Sequence, residues 1–133
     1  MKKPPDQVRD EFVRRWLLKA EEDLNAAKSL FAYGDSFLST VCFHSQQAAE
    51  KYLKAFLTHH QIEFPKTHAI SQLLDLITPA SAKLSESLRD VIVLTNYGVD
   101  VRYPGEFPSV TSSDAQRAIQ LAEKVRTAVL KSL

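Results

Sequence analysis

Apolar residues recur at steps of three and four through most of this chain, and the places where that rhythm breaks divide it into five helices. The first starts after Pro4-Pro5, with Asp6 as its expected N-cap, and carries Phe12, Trp16, Ala20, Leu24, Ala27 and Phe31 as one stripe. Arg14, Arg15, Lys19, Glu22 and Lys28 fall mainly on the other side, and Glu11 to Arg15 is an oriented acid-to-base pair. Gly34 suits a left-handed cap at its end. Asp35 or Ser36 is expected to cap a second helix that runs to about His60 without a proline or glycine, about 40 Å at ~1.5 Å per residue. Its apolar positions form two stripes, Phe37, Val41, Ala48, Tyr52 and Ala55, then Leu38, Cys42, Ala49, Leu53 and Phe56. Two stripes imply neighbours on two sides.

Beyond the turn His59 to His68, Thr67 suits the cap of a short third helix, Ala69 to Ile77, with Leu73, Leu74 and Ile77 inward and Pro79 as its stop. A fourth helix is expected from Ser81 to about Asn96, apolar at Leu84, Leu88, Val91 and Ile92. The β-branched run Val91-Ile92-Val93 sits inside that period, and strand signals are otherwise absent. Asn96 to Pro108 has two prolines, two glycines and no helical period, yet holds several bulky side chains, so it reads as an ordered loop of the kind that lines sites. The last helix opens at Thr111 or Ser113, where Ser113 and Gln116 have capping-box spacing, and runs to the C-terminus. The pattern predicts an all-α fold, a five-helix up-and-down antiparallel bundle over residues 1–133 with helix two central and helix three as an adjunct.

Composition narrows the class. At 133 residues the chain has the length of one ordinary domain, and 44% apolar with 25% charged residues is a globular balance. A net charge of +1 lacks the strongly basic footprint of whole-surface phosphate neutralisation, leaving only a local patch. The lone Cys42 permits no internal disulfide, the N-terminus does not read as a signal peptide, and no run approaches the ~20 apolar residues of a membrane span. A cytoplasmic location is expected.

Chemistry concentrates in two places. On helix two, His44, Gln47, Lys51 and Lys54 lie at steps of three and four, with Gln46 and Glu50 one register round. They read either as phosphate or base contacts, or as a solvated face with Glu50 paired to Lys54 and His44 a satisfied core histidine. In the loop, Asp100, Arg102 and Tyr103 combine a planar cation, a stacking ring and a carboxylate; the bland reading has Arg102 tying its loop to Asp100 or Glu50. His59, His60 and His68 lack carboxylate or thiolate partners at metal-site spacing, so no metal is expected. Neither a nucleophile elbow nor a phosphate-cradling glycine loop occurs, and no cofactor is implied.

Four stretches in this order, Trp16-Leu17 to Ala27, Phe43-His44 to Lys54-Ala55, Phe64-Pro65-Lys66-Thr67-His68 and Arg102-Tyr103-Pro104, resemble the HEPN domain family from about Val8 to Leu133. The resemblance implies a bundle similar to the helical domain of kanamycin nucleotidyltransferase, a homodimer, and a minimal nucleotidyltransferase partner in a toxin-antitoxin pair. Many members are metal-independent RNases with an Arg-spacer-His motif, but no His follows Arg102 here. Without that His the proton-transfer half of such chemistry is missing and Arg102 keeps the electrostatic half. The expectation is therefore a nucleotide- or RNA-phosphate-binding module with Gln47, Lys51, Lys54, Asp100, Arg102 and Tyr103 as contacts, leaning away from catalysis. Two alternatives stand beside it: an RNase pairing Arg102 with His44 or His68, and a pure protein-interaction subunit.

Overall fold

The computed structural model describes residues 5–98 and 109–133, and these are all helix and turn, with no strand among them. Five α-helices follow in order: α1 (Pro5–Phe31), α2 (Leu38–His59), α3 (Ile70–Ile77), α4 (Ala82–Ser87) and α5 (Ser112–Lys131). Two 3-10 segments, Asp35–Phe37 and Arg89–Tyr97, join them. The all-α bundle expected from the periodicity is what the chain forms.

Helix α2 is the centre. Val41, Ala48, Tyr52 and Ala55 on one stripe, and Cys42, Ala49, Leu53 and Phe56 on the other, are buried as the double stripe requires. Both sides are used, because α1 packs along one flank, α5 along another, and α3 with segment 89–97 closes the rest. From α1 the core takes Val13, Ala20, Leu24 and Ala27; from α5 it takes Ala115, Ala118, Leu121, Ala122, Val125 and Val129. Small residues at these contacts let the long helices approach closely.

Several boundaries differ from the sequence reading. Helix α1 begins at Pro5, whose fixed φ suits a first helical position, so Asp6 lies within the first turn rather than capping it. Asp35 and Ser36 belong to a 3-10 turn, and α2 opens at Leu38 with no side-chain cap. Gly34, expected as a left-handed cap, has a positive φ of 90° but a ψ of −146°, an extended glycine conformation ahead of the 3-10 turn and three residues past Phe31, rather than a left-handed helical cap. Thr111, not Ser113, caps α5: its hydroxyl accepts from Asp114 N while the Asp114 carboxylate accepts from Thr111 N, a reciprocal capping box. Phe12 and Phe37, assigned to buried stripes, are exposed.

The largest departure is the fourth helix, which stops at Ser87 and continues as nine residues of 3-10 helix. The reason is visible in the pattern itself. Leu88, Val91 and Leu94 are fully buried at steps of three, the repeat of a 3-10 rather than an α-helix. The β-branched residues among them also lose rotamer freedom in an α-helix. Thr95 in this segment accepts a hydrogen bond from Ile70 N at 3.2 Å, so it satisfies an amide at the start of α3 from twenty-five residues away. Thr67, expected to cap α3, instead accepts from Ala69 N at 3.1 Å, one residue earlier.

Candidate phosphate-binding face on helix α2

The polar residues of α2 form two adjoining clusters rather than one seam. The first is built on Asp23 of α1, whose carboxylate takes His44 Nδ1 on one oxygen at 2.9 Å and accepts from Lys51 on the other. A carboxylate only accepts, so Nδ1 carries the proton and Nε2 is the ring atom left over. Lys51 is therefore an ion-paired cation rather than a simply solvated one.

The second cluster is built on Glu50, and it is deeper. Glu50 is 2% exposed and Lys54 7%, which would be costly for either charge alone. Lys54 Nζ donates to Glu50 Oε1 at 2.5 Å, Gln46 Nε2 donates to Oε2 at 2.8 Å, and His68 Nδ1 reaches both oxygens at 3.1 Å. Gln47 extends the group by donating to Gln46 Oε1 at 2.7 Å. The Lys54 ammonium lies 5.5 Å from the Trp16 ring centroid and 5.9 Å from that of Phe64, adding two aromatic faces to its one carboxylate. With Nδ1 turned to Glu50, the His68 side chain remains 59% exposed.

Gly98, the last described residue before the loop, lies against this cluster. A Cβ there would meet the Gln46 side-chain amide at 2.7 to 2.9 Å, so only glycine allows so close an approach. Asp100, Arg102 and Tyr103 lie outside the described residues. Of the expected site residues, then, Gln47 and Lys54 join Glu50, while His44 and Lys51 join Asp23. Asp23, Trp16, Phe64 and Gly98 were not among the expected contacts, although the first three fall inside the first and third of the four motif stretches, and His68 was expected only as an alternative partner of Arg102.

A third network binds the helices together away from these clusters. Glu21 of α1 accepts from the Tyr52 hydroxyl and from Arg126 Nε of α5. Burial works against the Glu21 charge, but the two donated hydrogen bonds and the Arg126 cation outweigh it and hold the carboxyl below its ordinary value. The same desolvation, with the Glu21 carboxylate beside it, pushes the Tyr52 phenol up. Burial likewise pushes the Cys42 thiol to about 11, which leaves it protonated and unreactive at neutral pH. His60 packs on Phe56 at 4.3 Å, and burial first, then His59 and Arg9, lowers its pKa. No group of three or more potential metal ligands occurs among the described residues.

A helical bundle with a buried, hydrogen-bonded polar face on its central helix is the class that fold and site define. The chain belongs to the HEPN domain family, whose sequence model matches residues 13–133. Among solved structures it is similar to TT1696 from Thermus thermophilus, with 31% identity over 91% of this chain and 98% of that one and a TM-score of 0.75. It is also similar to ST0689, described as an archaeal HEPN homologue, with 28% identity over 90% of this chain and 96% of that one and a TM-score of 0.69. No curated protein matches it. No helix among the described residues is long and apolar enough to cross a membrane.

Proposed function

We propose that the protein is a HEPN module that holds the phosphate of a nucleotide or of RNA between the Glu50 cluster and the loop that carries Asp100, Arg102 and Tyr103. Family membership supports a nucleotide-binding or RNase-like module. The observation that carries the finer reading is Gly98 packed on Gln46. Arg102 follows Gly98 by four residues, and four residues of chain span at most about 14 Å, so Arg102 is tethered within reach of the cluster. In this reading Arg102 supplies the uncompensated charge and Tyr103 the stacking face. Gln47 acts as a neutral donor, Lys51 and Lys54 as positioned donors whose charges Asp23 and Glu50 already balance, and Asp100 orients Arg102. The test is titration of ATP and short RNAs against wild type and Arg102→Ala at low salt. Binding lost in the variant supports the site, and no binding to wild type overturns it.

The resemblance extends the proposal to a homodimer working with a minimal nucleotidyltransferase in a toxin-antitoxin pair. Co-purification with such a partner and a sedimentation mass of two chains are the expected results.

One observation favours a second reading, metal-independent RNA cleavage. Glu50 holds the His68 ring by Nδ1 while the side chain stays 59% exposed, an arrangement that suits an oriented general base. Cleavage of RNA in the presence of a chelator, lost in His68→Ala, would establish it. Intact RNA under those conditions leaves the binding module.

A further inference from the structure

We propose that the α1 edge of this face is a stacking track for single-stranded nucleic acid, formed by Phe12, Arg15 and Trp16 on α1 with Phe64 and Lys66 on the turn. It rests on the phosphate-binding reading and narrows the ligand of that site from any phosphate to a strand.

Phe12 has no place in the core, for its side chain is 48% exposed. The Arg15 guanidinium lies 5.2 Å from its ring centroid, so a planar cation and an aromatic face are presented together. Phe12, Arg15, Trp16 and Lys19 are spaced at three and four residues and share one side of the helix. One turn along, Trp16 meets Phe64 with centroids 6.1 Å apart and planes tilted 58°. Trp16 and Phe64 in turn flank Lys54, which binds Glu50, which holds His68. Contacts therefore run unbroken from Trp16 to the cluster beside Gly98, and Phe12 lies one turn, ~5.4 Å, beyond.

Charge decides what fits. Lys66 is exposed and has no hydrogen-bond or ion-pair partner among the described residues, and Arg15 is exposed with the Phe12 ring as its neighbour. Lys19 pairs with Glu22 at 3.6 Å, both in open solvent; the acids nearest in sequence are Glu11, one turn before Arg15, and Glu63, next to Phe64. A purely apolar partner would bury Arg15 and Lys66 without compensation, whereas a polyanion compensates both. A mononucleotide has one base to stack, whereas the exposed Phe12 and the half-buried Trp16 and Phe64 follow one another along this edge. Sequence-tolerant stacking on aromatic side chains combined with cations along the backbone is how single strands are held.

The experiment measures affinity for ATP and for an oligoadenylate of about 12 nucleotides. The proteins compared are wild type, Phe12→Ala, the double variant Arg15→Ala/Lys66→Ala, and Arg102→Ala. The oligonucleotide should bind at least about tenfold tighter than ATP. Phe12→Ala and the double variant should each lose about tenfold for the oligonucleotide and nothing for ATP, and the double variant should also flatten the salt dependence. Wild-type oligonucleotide affinity in both variants, or an oligonucleotide no tighter than ATP, overturns the track and leaves the Arg102 site standing. Oligonucleotide loss in the α1 variants with Arg102→Ala neutral keeps the track and removes the site. Failure of wild type to bind either ligand removes both, and a change of oligomeric state in Phe12→Ala at unchanged affinity reassigns the surface to contact between copies.

Discussion

Lys54 and Glu50, one turn apart on α2, meet at 2.5 Å where water barely reaches either of them. Taking one partner away from such a pair strands the other charge, which typically costs about 3–5 kcal/mol, while replacing both by apolar or neutral groups is often nearly neutral. Lys54→Met and Glu50→Gln should differ accordingly. Glu50→Gln leaves a buried ammonium facing two aromatic rings and should lower the urea midpoint most. The double variant Glu50→Gln/Lys54→Met should recover the greater part of that loss, and additive losses would refute mutual compensation.

Gly98 makes a separate prediction because its neighbour is a side chain. An alanine methyl at 2.7 to 2.9 Å from the Gln46 amide forces one of them to move, and overpacking of this kind costs about 1–3 kcal/mol. Gly98→Ala should therefore destabilise, and adding Gln46→Ala should remove the clash so that the two changes combine to less than their sum. Denaturant titration of the single and double variants reads this directly.

The Glu21 carboxyl supplies a pH dependence. Its folded pKa lies below the ordinary 4.5, so the folded chain binds this proton less readily than the unfolded chain. The stabilisation is complete above 4.5 and is lost as pH falls through the folded value. Between about pH 6 and about pH 3, the stability gap between wild type and Glu21→Gln should shrink toward zero. A gap that widens on acidification would contradict the assignment.

Thr95 tests the tie between the 3-10 segment and α3. Thr95→Val keeps the shape and leaves Ile70 N without its acceptor, a loss of about 1 kcal/mol by analogy with helix capping. Hydrogen exchange at the Ile70 amide should accelerate more than at Leu73 or Leu74. Equal protection of Ile70 in both proteins would show that the bond is dispensable.

The bundle was legible because burial of α2 on two sides demands two apolar stripes, and the stripes are in the sequence. Phe12 misled because the buried stripe of α1 runs through Val13, Ala20, Leu24 and Ala27, and Phe12 lies one residue, about 100°, round the helix from Val13. Segment 89–97 misled for a different reason: over nine residues, steps of three and of 3.6 overlap, and only the burial of Leu88, Val91 and Leu94 together separates them. The site was half visible. Spacing places His44, Gln47, Lys51 and Lys54 on one arc, but which carboxylate each one meets depends on α1 and on the turn at His68, and helix spacing carries no information across elements. Glu50 with Lys54 was readable as a local pair; Asp23 with Lys51 joins residues twenty-eight apart.

The 3-10 winding of Arg89–Tyr97 also sets a length. At ~2.0 Å of rise per residue against ~1.5 Å for an α-helix, its nine residues cover about 18 Å instead of about 13.5 Å. That extra stride of about 4.5 Å ends at Gly98, which lies alongside Gln46. The segment acts as a spacer of fixed span, and substitutions that favoured α-helical winding there would draw Gly98 away from Gln46 without touching either residue.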